Sequence, residues 1–177
     1  HNFLSYMKNT AIIIPSRLGA KRFPNKPLVK INNLPMIVHV LNRAKESQVG
    51  EVYIATPDKE IIDVVTENKG NAILTKNSHP SGSDRVYEVY EKKLNNTVDL
   101  IINLQGDMPN IKPSSISKLE KLMRKNNCNI GTLASLINNK NYDVMTIPMG
   151  KYMGGYDIYE AYVSDHLPVL LSFSVTN

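Results

Sequence analysis

Residues 10–28 read TAIIIPSRLGAKRFPNKPL, a continuous apolar run followed at once by a loop rich in cations. An apolar run without polar alternation is typical of a strand that is buried on both faces of a sheet. Arg17, Lys21, Arg22 and Lys26 then stand close together in the loop. Cations clustered in this way neutralise a polyphosphate, and they lie here where a parallel sheet binds its ligands.

Strand-like and helix-like segments alternate on both sides of this stretch. Periodicity, caps and turn residues predict strands at 10–15, 51–56, 71–75, 98–105 and 130–137, and helices at 35–47, 58–69, 83–94 and 113–125. Asp58 and Ser83 are the predicted helix N-caps, and Gly70 is the predicted helix end. Repeated β–α units predict an α/β fold: a mostly parallel twisted sheet with helices on both faces, similar to a Rossmann fold.

The loops beyond the carboxyl ends of the predicted strands are the candidate site, and they span 16–34, 76–82 and 106–112. None of them contains the Walker A or dinucleotide-binding glycine pattern, so side chains and local backbone must build any phosphate site. The second loop leads into HPSGSDR, residues 79–85. Ser81, Gly82 and Ser83 suit hydrogen bonds to a base or ribose, and Arg85 either faces the ligand or pairs with Glu88. A lone histidine such as His79 is more often a surface residue than a catalyst.

The third loop begins within INLQGDMP, residues 102–109, in which Asp107 comes just after a predicted buried strand. A carboxylate there suits a magnesium ion that bridges nucleotide phosphates. A turn-forming aspartate between Gly and Met-Pro is an equally good interpretation.

Composition limits the class of protein and of partner. The 177 residues are 42% hydrophobic and 21% charged, which is typical of a soluble globular domain, and no apolar run is long enough to cross a membrane. The single cysteine, Cys128, excludes an internal disulfide, fits a cytoplasmic location and is expected to be buried. The net charge is +5, but no long basic helix is predicted, so a small phosphorylated ligand is favoured over nucleic acid.

Taken together, PSRLGAKRFPNKPL, PMIVHVLNRA, ATPD, HPSGSDR and NLQGDMP resemble the family of 3-deoxy-manno-octulosonate cytidylyltransferases in order and spacing. The resemblance covers about residues 8–137. It implies a nucleotide-diphospho-sugar transferase-like domain that binds CTP and Mg²⁺. In that family the hydroxyl of the acidic sugar attacks the α-phosphorus and pyrophosphate leaves, in a step of lipopolysaccharide synthesis.

The resemblance also implies roles for individual residues. Arg17, Arg22 and Lys26 would bind the triphosphate during the reaction. Lys21 and Arg85 would add positive charge to the nucleotide site. Ser81, Gly82 and Ser83 would surround the nucleotide, and Gln105 and Asp107 would meet the sugar and the metal. Met108 departs from the pattern, because the family often has an acidic residue there.

Residues 138–177 show none of the family's later motifs, which supply sugar contacts, a homodimer surface and a second metal-binding Asp. We therefore predict two parts, a CTP-binding domain at 8–137 and an atypical tail at 138–177, in a shortened form of the fold. We expect this chain to bind CTP but to catalyse weakly or not at all. The apolar segment 167–175 is expected to add a strand at an edge of the sheet.

Three alternatives remain open at this point. One is a related transferase such as a CMP-sialate synthetase, and another is an inactive nucleotide-binding remnant. The third is a metal-dependent phosphoesterase, since SDHLPVLLSF in the tail resembles the last motif of the endonuclease/exonuclease/phosphatase superfamily, with Asp165 and His166 at the metal and phosphate.

Overall fold

The computed structural model describes residues 9–19, 24–138, 141–148 and 171–174. The strands in these ranges are β1 Thr10–Pro15, β2 Lys30–Ile31, β3 Leu34–Pro35, β4 Glu51–Thr56, β5 Asn71–Leu74, β6 Leu100–Asn103, β7 Ile130–Asn138, β8 Asn141–Pro148 and β9 Leu171–Ser174. The helices are α1 Met36–Glu46, α2 Lys59–Glu67, α3 Gly82–Val89 and α4 Pro113–Asn126, with a 3₁₀ turn at Lys26–Leu28 and a π-helical turn at Tyr90–Leu94 that extends α3.

The central sheet has the strand order β5-β4-β1-β6-β9-β7-β8. β5, β4, β1 and β6 are paired in parallel, and β1 lies in the middle of this group. β9 is antiparallel to both β6 and β7, so β7 runs in the same direction as β6. The predicted α/β fold with a mostly parallel sheet is confirmed, and the antiparallel pairs all involve β8 or β9.

The tail strand is the main correction to the predicted topology. We expected 167–175 to join an edge of the sheet, but β9 lies between β6 and β7. Its residues pair with both neighbours, as Phe173 does with Ile101 and with Ile130. A strand with partners on both sides satisfies two rows of backbone hydrogen bonds, whereas an edge position leaves one row unpaired. Asp165 and His166 lie outside the described residues.

The hydrophobic core has two halves, one on each face of the sheet. Ile12 and Ile14 of β1 face α1, α2 and α4, whereas Ala11 and Ile13 face α3, and all four side chains are fully buried. Residues 11–14 of β1 are all apolar because helices cover both faces of the strand. Burying one isoleucine side chain contributes about 1.5–3 kcal/mol, so β1 anchors both layers.

Two details of α2 and α3 are visible only in the structure. Within α3, Tyr87 is 59% exposed, whereas Val86 and Val89 are buried. Helix α2 ends before Gly70, and it is Lys69 that takes the left-handed backbone conformation, with φ of 56°. Cys128 is half-buried and packs against the core on the α4 side. None of the described helices is both long and apolar enough to cross a membrane.

Candidate active site

A cleft of about 200 Å³ opens at the carboxyl ends of the parallel strands. Residues that follow β1, β5 and β6 form its walls, as the rule for open α/β sheets predicts. The lining residues are Pro15, Ser16, Arg17, His79, Pro80, Ser81, Gly82, Arg85 and Gln105. The cleft thus brings together five of the residues predicted to form the site: Arg17, Ser81, Gly82, Arg85 and Gln105.

The cation-rich loop that follows β1, residues 16–34, is called the basic loop here. Backbone hydrogen bonds fix its path at the described residues. Ser16 donates its N–H to the Ala55 carbonyl oxygen at 2.9 Å, and Asn25 donates to the Leu18 carbonyl oxygen at 3.1 Å. Between these points the Leu18 N–H donates to the Asp58 carboxylate at 2.7 Å. Arg17 is therefore held between two anchored backbone amides. Lys21 and Arg22 lie outside the described residues, and their predicted phosphate contacts stay predictions.

Arg85 is the deepest cation of the cleft, with only 2% of the residue exposed. Its guanidinium donates to Thr75 Oγ1 and, at 3.0 Å, to the Lys76 carbonyl oxygen. Both acceptors are neutral, and the described residues include no carboxylate that forms an ion pair with Arg85. Of the two alternatives for Arg85, facing the ligand or pairing with Glu88, the structure therefore favours the first.

The two arginines of the cleft repel each other. Burial lowers the pKa of Arg85, and the charge of Arg17 lowers it further, while the carboxylates of Asp58 and Glu88 act in the opposite direction. A guanidinium stays charged at any physiological pH despite such a shift. The cleft therefore carries two cations without a neutralising contact at Arg85, and an anionic ligand would relieve this imbalance.

Glu88 of α3 holds in place the loop 76–82, which forms the second wall of the cleft. Its carboxylate accepts hydrogen bonds from His79 Nε2 and from the Lys76 N–H, the latter at 2.9 Å, and pairs with Lys92 at 2.5 Å. Burial alone would raise the pKa of Glu88, but the bonds from Lys92, His79 and Lys76 outweigh it and lower the pKa to about 2. His79, expected to be a surface residue, is instead part of the cleft wall and is held there by an ionised carboxylate.

Ser81, rather than the predicted Ser83, is the N-cap of α3. The Ser81 hydroxyl accepts the Asp84 N–H at 3.2 Å, and the Asp84 carboxylate accepts the Ser81 N–H at 3.1 Å, which completes a capping box. The hydrogen bond from the Ser81 hydroxyl lowers the pKa of Asp84. Ser83 is exposed and does not line the cleft. Gly82 packs closely, because a Cβ there would lie 3.2 Å from Pro15 Cγ.

The third wall comes from the residues after β6. Gln105 lines the cleft, and Gly106 allows a close approach to β1, since a Cβ there would lie 3.0 Å from the Pro15 carbonyl oxygen. Asp107 is exposed and its carboxylate forms an ion pair with Lys26 at 2.9 Å. Within the described ranges, no three His, Cys, Asp or Glu side chains are grouped to hold a metal ion.

Ser16 is a site residue that the sequence reasoning missed. It is 8% exposed, lines the cleft, and its hydroxyl has no hydrogen-bond partner in the described structure. A buried hydroxyl without a partner costs roughly 1–3 kcal/mol, which a ligand could recover by bonding to it. Its position directly after a buried strand was the available signal, because that is where ligands of parallel sheets bind.

The fold is similar to those of several solved structures. A CMP:2-keto-3-deoxy-manno-octonic acid synthetase, solved in complex with CTP, superposes on 94% of this chain and 74% of its own with a TM-score of 0.70 and 29% identity. A cytidylyltransferase from Leptospira borgpetersenii superposes on 91% of this chain and 66% of its own with a TM-score of 0.63. At 17% identity, the second similarity concerns the fold alone.

Sequence relatives agree with the structural comparison. The 3-deoxy-manno-octulosonate cytidylyltransferase of Nitrobacter winogradskyi is 44% identical over 132 residues, which cover 74% of this chain and 52% of that protein. The enzyme of the same name from Thermodesulfovibrio yellowstonii is 41% identical over 160 residues, covering 85% of this chain and 62% of that protein. The chain thus spans little more than half the length of these curated relatives. The cytidylyltransferase family matches residues 11–166, which is most of the chain, and the chain therefore belongs to the cytidylyltransferase family.

Proposed function

We propose that this chain binds CTP in the cleft and contributes to the transfer of CMP from CTP to 3-deoxy-manno-octulosonate, with release of pyrophosphate. The observation that carries the proposal is the buried guanidinium of Arg85, which forms no ion pair with any described residue and lies beside Arg17 at the carboxyl edge of the sheet. A triphosphate supplies the negative charge that this arrangement lacks. The names of the relatives and the CTP complex of the structural neighbour support the choice of nucleotide and sugar acid.

In the proposed reaction the hydroxyl of the sugar acid attacks the α-phosphorus, and the bond to the β-phosphate oxygen breaks. Arg17 and Arg85, with Lys21, Arg22 and Lys26 of the same basic loop, neutralise the triphosphate and the departing pyrophosphate. Cations held in fixed positions stabilise such developing charge without reorganising. Gln105 is proposed to meet the sugar, and Ser81, Gly82 and Ser83 to lie near the nucleoside. Ser83 is the weakest member of this set, because it does not line the cleft.

A magnesium ion is the proposed cofactor. Asp107 offers one hard carboxylate oxygen donor, and Mg²⁺ commonly binds through one or two carboxylates together with substrate phosphates. That donor fits the ion only if its ion pair with Lys26 opens, and a triphosphate gives Lys26 another anion to bind. The ion would neutralise phosphate charge when bound.

The cellular setting is proposed from the family resemblance, which implies a cytoplasmic step that activates an acidic sugar for lipopolysaccharide. The names of the relatives state only the cytidylyl transfer and the sugar acid. A homodimer is a further proposal, which rests only on the family resemblance. A CMP-sialate synthetase-like activity uses the same nucleotide chemistry, and it is therefore included as an outcome of the test.

The test is formation of CMP-sugar and pyrophosphate from CTP and a panel of sugar acids, followed over long incubations because slow turnover is expected. The proposal expects product with 3-deoxy-manno-octulosonate, less or none with sialate, and none when UTP replaces CTP. Arg17→Ala serves as the inactive-site control, and Arg43→Ala on the exposed side of α1 serves as the matched surface control. A chain that binds CTP but forms no CMP-sugar with any acid would contradict the transfer step.

A further inference from the structure

Asp58 stands where a helix cap is expected but does not cap its helix. It directly precedes α2 with an extended backbone, yet its side chain makes no capping hydrogen bond. The carboxylate instead accepts the N–H of Leu18, forty residues earlier in the chain, at 2.7 Å. Its own N–H donates to Thr56 Oγ1 at 3.1 Å, which fixes the start of the turn. The aspartate thus links the end of β4 to the basic loop.

This link fixes the backbone on one side of Arg17. The N–H of Ser16 is bound to the Ala55 carbonyl oxygen, and the N–H of Leu18 is bound to Asp58. Hydrogen bonds to an ionised acceptor are shorter and roughly twice as strong as neutral ones. Among the described residues, the next backbone hydrogen bond of the loop is that from the Asn25 N–H to the Leu18 carbonyl oxygen. The Asp58 bond is therefore the described contact that fixes the backbone amide directly after Arg17.

The Asp58 carboxylate binds the Leu18 amide and is not in contact with the Arg85 guanidinium of the cleft. Asp58 and Arg85 form no ion pair with each other within the described structure, although the charge of Asp58 acts on Arg85. The negative charge has two opposite consequences for an anionic ligand. The electrostatic field of Asp58 weakens the binding of an anion. The same carboxylate strengthens that binding if it holds Arg17 in place.

We propose that Asp58 is a positioning residue that presets the basic loop, and with it Arg17, for the phosphates of the nucleotide. This inference rests on the proposed CTP site. Asp58 does not touch the substrate in this account, because it acts through the Leu18 amide. The two consequences of its charge predict opposite signs for a substitution, so a binding measurement can separate them.

The experiment compares Asp58→Ala and Asp58→Asn with the parent by calorimetric titration of CTP and of cytidine. Asp58→Ala removes both the acceptor and the charge, whereas Asp58→Asn keeps an acceptor oxygen. We expect Asp58→Ala to weaken CTP by a few-fold up to about tenfold, because a misplaced Arg17 cannot cost more than the loss of Arg17 itself, with cytidine little changed. Asp58→Asn should fall between Asp58→Ala and the parent, because a neutral acceptor bond is roughly half as strong. Asp63→Ala, an exposed aspartate on the same helix, is the matched control.

CTP binding that is unchanged or tighter in both Asp58 variants would overturn the proposal, because it would leave only the field effect. A parent chain that binds CTP no better than cytidine would instead contradict the proposed phosphate site itself. If Asp58→Ala fails to fold, the proposal is tested instead by hydrogen exchange of the Leu18 amide. The proposal expects a protected Leu18 amide in the parent and faster exchange in Asp58→Asn, and an unprotected Leu18 amide in the parent would overturn it.

Discussion

Replacing Arg17 by alanine should weaken the binding of CTP far more than that of cytidine. Arg17 lies on the cleft wall beside the buried Arg85, where the proposed triphosphate would bind. A charge-assisted hydrogen bond to phosphate contributes about 1.5–3 kcal/mol. Since about 1.4 kcal/mol corresponds to a factor of ten, the dissociation constant should rise roughly ten- to a hundredfold.

The exposure of Arg17 favours the lower part of that range. Solvent and salt screen the charge of an exposed side chain. We therefore expect roughly a tenfold loss for CTP at low salt, shrinking as salt is added.

The assay is calorimetric titration of CTP and cytidine into the parent, Arg17→Ala and Arg43→Ala. Arg43 lies on α1 in an exposed ion pair with Glu46, so its substitution removes the same charge at a distance from the cleft. Equal losses for CTP and cytidine in Arg17→Ala would refute the assignment of Arg17 to phosphate. An equal loss in Arg43→Ala would show that net charge alone explains the effect.

Three further predictions concern other parts of the molecule. The unfolding free energy of the parent should fall on acidification from about pH 4.5 to about pH 2, because the Glu88 carboxylate has its pKa lowered to about 2, and chemical denaturation of Glu88→Gln should show a shallower fall. Gly50→Ala should cost about 1–3 kcal/mol of stability, because the new Cβ would lie 1.8 Å from the Thr10 carbonyl oxygen of β1. Gly19→Ala is the control, since a Cβ there has no atom within 4 Å, and the melting temperatures of the two variants are compared. Asp107→Ala should abolish the magnesium dependence of CTP binding while the protein stays folded, and titrations with and without Mg²⁺ that match the parent would contradict the metal assignment.

Local sequence predicted the parallel half of the fold because its signals are strong and short-range. The strands Thr10–Pro15 and Glu51–Thr56 have the predicted bounds, since each is an apolar run bounded by polar turns. Ile130–Asn138 differs from its prediction by one residue. The place of β9 between β6 and β7 did not follow from the sequence, because strand order depends on pairing between distant segments.

The same distinction holds in the candidate site. The three loops were predictable, because the carboxyl ends of parallel strands meet at one edge. The roles of Asp58 and Glu88 were not, since each carboxylate binds a backbone amide outside its own helix, that of Leu18 or of Lys76. Local rules predicted a helix cap at Asp58, and the tertiary structure uses that carboxylate elsewhere.

A crystal structure of the chain with CTP and Mg²⁺ tests the central claim most directly. The account predicts triphosphate oxygens within hydrogen-bonding distance of the Arg17 and Arg85 guanidinium groups, and the nucleotide in contact with the walls formed after β1 and β5. CTP bound elsewhere, or bound in the cleft with both guanidinium groups facing away from its phosphates, would contradict it.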